Sequence, residues 1–71
     1  MRRKDVKSSD IRSIGYDESL QILEVEFKRG SVYQYVNVPK HVYAALMKAP
    51  SVGSYFNTQI RDRFQSSQVA E

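Results

Sequence analysis

The sequence holds no cysteine, no tryptophan, one histidine (His41), three glycines and two prolines. Without cysteine there is neither a disulfide nor a thiolate metal site to staple so short a chain. A lone histidine leaves no second imidazole for a zinc set. The glycines are too scattered to form a phosphate-cradling loop. No apolar run approaches the ~20 residues of a membrane span. The opening MRRKDVKSSD is basic but lacks the apolar stretch of a secretory signal. These absences set the expectations of no metal, no cofactor, no membrane and a cytoplasmic location.

What is present is 71 residues, 41% hydrophobic, with a net charge of +3. One domain is the expected count, and its stability must come from a single small core or from a partner. The charge is unevenly spread. Residues 1–12 carry five basic and two acidic side chains, residues 13–27 only Asp17, Glu18, Glu24 and Glu26, and residues 28–71 six basic against two acidic. An acidic hairpin therefore lies between two basic segments. Either this is a mixed solvated surface, or it is an electrostatic footprint for phosphate or an acidic partner.

Residues 1–8 are polar and read as a flexible basic arm. A first strand is predicted over Ile11–Tyr16, with turn chemistry at Asp17-Glu18-Ser19. Residues 20–28 alternate, with Leu23, Val25 and Phe27 on one face and Glu24, Glu26 and Lys28 on the other, which predicts a strand with one buried side. A third strand is predicted over Val32–Val38. Pro39 suits the start of a helix, in which Val42, Ala45, Leu46 and Ala49 fall on one stripe. Pro50 stops it, and Ser51 is a plausible N-cap for a second helix. There Val52, Phe56, Ile60 and Phe64 share a stripe, with Arg61 and Arg63 near the C-terminal end. Residues 66–71 read as a frayed tail. The expected fold is α+β: a three-stranded antiparallel meander followed by two helices on one face, in a domain spanning residues 9–65.

Tyr33 and Tyr35, two apart, share a face. A two-residue loop at Arg29-Gly30 would set them among Glu24 and Glu26 on the open face. A three-residue loop, Lys28-Arg29-Gly30, would oppose them to Val25 and Leu23 on the core face. The second needs a positive φ only at Gly30 and is favoured. The face of the two rings is left open between these.

Catalysis finds little support. His41 sits in a first helical turn and reads as a surface side chain. Glu24 and Glu26 are accounted for by a solvated strand face, and no serine has a partnered base. A pocket lined by tyrosine, Asn57 and Arg61 would be needed to reopen the question, and a non-enzymatic protein is expected.

Several stretches taken together are distinctive. They are Ser9-x-x-x-Ser13-Ile14-Gly15-Tyr16-Asp17, Leu23-x-Val25-x-Phe27-x-x-Gly30, Tyr33-x-Tyr35-x-x-Val38-Pro39-x-x-Val42-Tyr43 and Ser51-x-Gly53-x-Tyr55-Phe56-Asn57-x-x-Ile60-Arg61. In order and spacing they resemble the KTSC domain family, named for its occurrence at the C-terminus of some lysyl-tRNA synthetases and found also as small free-standing proteins of bacteria and phages. The likeness runs from about Val6 to Phe64. It implies no known function, with RNA binding suggested by the synthetase context. It singles out Tyr33, Tyr35, Tyr55, Phe56, Asn57 and Arg61. Asn57 and Arg61, four apart, are neighbours on one helical face. They form either a polar site beside the aromatic core or a tie from the helix to backbone carbonyls.

Two functional expectations follow. The first is an RNA-binding module whose phosphate contacts come from Arg2, Arg3, Lys4, Lys7 and Arg12 in the arm, and from Lys28, Arg29, Lys40, Arg61 and Arg63 elsewhere. The second is a protein-binding regulator docking on a larger assembly such as the transcription machinery. In that case the contact is made by the arm, or by Val32, Gln34 and Val36 on an open sheet face or edge.

Overall fold

A computed structural model describes residues 1–70. The order of elements is β1 (Arg3–Asp5), β2 (Ile11–Asp17), β3 (Ile22–Phe27), β4 (Val32–Tyr35), α1 (Lys40–Lys48), α2 (Val52–Gln59) and β5 (Ser66–Ala70). The strands form one antiparallel sheet in the order β1-β2-β3-β4-β5. The α+β class and the two helices stand, but the helices do not end the order: β5 follows α2, so they lie between the fourth and fifth strands. The expected three strands become five, because both segments read as loose ends pair with the sheet. Residues 1–8 contain β1, and the segment read as a frayed tail contains β5, with Glu71 outside the described residues.

The meander forms as its side chains dictate. Asp17 Oδ1 accepts from Leu20 N–H at 3.1 Å and starts the first turn. At the second, Phe27 N–H donates to Ser31 C=O and Gly30 N–H to Phe27 C=O, closing a Lys28-Arg29-Gly30 loop with Gly30 at φ 107°. Val25 therefore opposes Tyr33, and Leu23 opposes Tyr35. This puts both tyrosines on the core face, as the favoured loop requires. A bulge between Ile11 and Ser13 lets Ile11 join the core while Ser13 faces the other side.

The core consists of Ile11, Ile14, Leu23, Val25, Phe27 and Tyr35 from the sheet, met by Val38, Leu46, Phe56 and Ile60 from above. Pro39, extended, precedes α1. Ser51 Oγ accepts from Ser54 N–H at 3.2 Å and caps α2 as expected. That helix is shorter than the apolar stripe suggested. Phe56 C=O accepts from both Ile60 and Arg61 N–H, and Arg63 Nε donates to Thr58 C=O. These bonds close the helix end, so Arg61 and Arg63 lie in the turn beyond it. Phe64 still packs on the core from there.

Candidate functional site

The far end of the hairpin, the body of α2 and the turn after it enclose a depression of about 290 Å³. Its apolar floor is built by Ile11, Phe27, Tyr33, Tyr35 and Phe56, and its polar rim by Asp10, Arg29, Asn57, Arg61, Asp62 and Ser66. Register explains the floor. Phe27 ends β3, and the core-facing tyrosines of β4 bring their rings beneath α2. The rings meet edge to face: Phe27 with Tyr33 at 5.8 Å, Phe27 with Phe56 at 5.6 Å, and Tyr35 with Phe56 at 5.4 Å between centroids. Such pairs fix ring orientation as well as burying area.

Tyr35 is 4% exposed. Burial pushes its phenol above the ordinary 10.0, with the nearby Arg61 charge acting in the opposite direction. Tyr33 is only half-buried, and its hydroxyl donates to Gln68 Oε1 of β5 at 3.3 Å. The Arg29 guanidinium lies 4.8 Å from the Phe27 ring centroid, forming a cation–π wall at one side. Arg29 Nε also donates to Ser31 Oγ. Asn57 and Arg61 are exposed. Among the described residues neither side chain makes a hydrogen bond or ion pair, so no tie from this pair to backbone carbonyls is observed. Both residues line the depression instead.

Of the residues that the resemblance singled out, Tyr33, Tyr35, Phe56, Asn57 and Arg61 meet at this depression, while Tyr55 packs at the core margin. The basic residues do not gather as one surface. Arg29 and Arg61 rim the depression, with Lys28 in the same hairpin loop and Arg63 in the same turn as Arg61. Arg2, Arg3 and Lys4 belong to the opposite edge of the sheet, with Lys7 and bulged Arg12 exposed beside them. Lys40 pairs with Glu18 at 3.4 Å, both well exposed.

Arg3 is engaged elsewhere. It forms an ion pair with Glu24 and approaches Glu26 at 3.8 Å, and its Nε donates to Ser13 Oγ at 3.1 Å. Ser13 Oγ donates to Glu26 at 2.7 Å, and Gln34 Nε2 to Glu24 at 2.8 Å. Glu24 is 8% exposed. Burial alone would raise its pKa, but hydrogen bonds from Gln34 and Arg3, and the Arg3 charge, hold the carboxyl below the ordinary 4.5. The paired glutamates are thus tied down by Arg3, Ser13 and Gln34 rather than forming a freely solvated face. Of the residues expected on an open face, Val32 is buried, while Gln34, bonded to Glu24, and Val36 are half-buried.

Sequence reasoning missed Asp10, Phe27, Asp62 and Ser66 as site members. The hairpin loop choice carried the signal for Phe27, since it placed that ring beside Tyr33. Asp10 was reachable only through a long-range bond, its C=O accepting from Lys28 N–H at 2.8 Å. Among the described residues, no three His, Cys, Asp or Glu side chains group to hold a metal ion, and no helix is long and apolar enough to cross a membrane.

Comparison with known proteins bears on the same residues. The family model for the KTSC domain matches residues 7–64. An uncharacterised protein of Stutzerimonas stutzeri is 51% identical over 57 residues, covering 80% of each chain. A lysine–tRNA ligase of Nostoc punctiforme is 39% identical over 64 residues. That match takes in 90% of this chain but only 11% of the ligase. The crystal structure of a KTSC domain protein from Yersinia pestis superposes with a TM-score of 0.91 at 38% identity, covering 96% of both chains.

Proposed function

The chain belongs to the KTSC domain family, and we propose that it works as a small, non-enzymatic module that binds RNA through the depression beneath α2. One observation carries this reading. The motif residues Tyr33, Tyr35, Asn57 and Arg61 converge on a single open concavity, and the two guanidinium groups at its rim have no carboxylate partner among the described residues. Cations left unpaired beside aromatic rings suit a phosphate-bearing strand whose bases stack. A related segment also lies within a protein whose name, lysine–tRNA ligase, states an RNA substrate.

The non-enzymatic part rests on the chemistry of the lining. That lining holds the tyrosine, Asn57 and Arg61 set that would reopen catalysis, but it has no histidine, its carboxylates Asp10 and Asp62 lie exposed on the rim, and the most buried phenol, Tyr35, is pushed up and stays neutral near pH 7. The test is titration of the protein with a single-stranded RNA while salt is raised. Binding at low salt that weakens steeply with salt supports the reading. No binding at low ionic strength rejects it.

A protein-binding role, such as docking on the transcription machinery, draws support from one feature. β5 is one of the two edge strands and is exposed along Ser66–Ala70, so it offers a free edge for β-augmentation. A pull-down from nuclease-treated lysate that recovers no stoichiometric protein removes this second reading.

A further inference from the structure

We infer that the depression takes one unstacked nucleotide whose base bears an exocyclic amino group, and so excludes uracil, from a single RNA strand. This rests on the RNA-binding reading and goes beyond it by assigning the ligand unit and its chemistry.

Size comes first. At about 290 Å³ the space lies just below the roughly 300–1,000 Å³ of small-molecule sites. It admits one nucleotide-sized group, and the rest of a strand must lie outside it. A base inside an A-form duplex is stacked and paired, and cannot enter a concavity, whereas single-strand recognition splays bases onto aromatic rings and guanidinium planes. Tyr33, half-buried at the floor, and the Arg29–Phe27 pair at the side supply both kinds of surface.

Polarity then narrows the base. The rim offers carboxylates from Asp10 and Asp62 and the amide of Asn57. Carboxylates accept only, so they favour a base that presents N–H donors, and an asparagine amide can pair with the adenine N6 and N7 edge. Uracil carries no amino group: its pairing edge holds one N–H between two carbonyl oxygens, and those oxygens would face Asp10 or Asp62 unpaired. Arg61, exposed and without an ion-pair partner among the described residues, is placed to engage the phosphate of the same nucleotide. The two rim carboxylates, otherwise an obstacle to a purely electrostatic RNA site, thus gain a use.

The experiment is fluorescence anisotropy at low salt with labelled A8, C8 and U8 oligoribonucleotides and a blunt-ended RNA duplex, against the full chain and its N57A variant. Asn57 is exposed on α2 and makes no side-chain hydrogen bond among the described residues, and alanine favours helix, so the variant folds. A8 and C8 are expected to bind about tenfold tighter than U8 or the duplex, and N57A to bring the A8 affinity down toward that of U8. Equal binding of all four RNAs, or an A8 preference that survives in N57A, overturns the inference and leaves the RNA-binding reading standing. Binding of none of them overturns both.

Discussion

Gly30 sits at φ 107°, a region that a residue with a Cβ enters only at a cost. Gly30→Ala is expected to destabilise the protein by about 1 kcal/mol or more, read as a lower midpoint in urea. The effect reaches the site, because this loop sets the register that turns Tyr33 and Tyr35 toward Phe56. Glu24 makes a separate prediction. Its carboxyl is held below 4.5 in the folded chain, so its contribution is fully present above that value. It is lost as pH falls through the lower folded value. Glu24→Gln keeps the shape but removes the charge facing Arg3. It should cost roughly 1–3 kcal/mol near neutral pH and flatten the acid limb of the stability profile. An unchanged acid limb in the variant would show that another group governs it.

At the scale of elements, the sequence announced those with an apolar signature and hid those without one. The alternation of Leu23, Val25 and Phe27 and the stripe of Val42 and Leu46 forecast β3 and α1, and Ser51 forecast the start of α2. β1 and β5 carry no such pattern. Every residue of both is exposed, so they pair through backbone and not through burial, and a pattern-based reading takes them for loose ends. One clue to β1 was legible. Gly15 lies inside a strand, where glycine often marks a close backbone approach. A Cβ there would come within 2.6 Å of the Arg2 carbonyl oxygen. Gly15→Ala should therefore lift the N-terminal strand from the sheet. Faster amide exchange of residues 3–5, with the β3–β4 hairpin still protected, is the expected reading. The site itself was half legible: the motif spacing marked Asn57 and Arg61, but only the closing of α2 at Gln59 set Arg61 and Asp62 beside the aromatic floor.

At the scale of the whole molecule, a net charge of +3 says less than where the free cations are. Arg3 is spent on Glu24, and Lys40 faces Glu18. Arg29 and Arg61 are left together at the one concavity that the motif residues share. Phosphate binding should then depend on these two more than on the basic N-terminal segment. Lys4→Gln with Lys7→Gln, changes of equal charge on the opposite sheet edge, should weaken RNA binding less than Arg29→Gln with Arg61→Gln. The most direct measurement is the salt dependence of single-stranded RNA affinity for the wild-type chain and the Arg29→Gln, Arg61→Gln variant. Every phosphate that a side chain no longer neutralises makes the slope of log K against log salt shallower by about 0.7. The double variant should therefore bind more weakly, with a slope shallower by roughly 1.4, whereas equal slopes in the two proteins would contradict an RNA site at this depression.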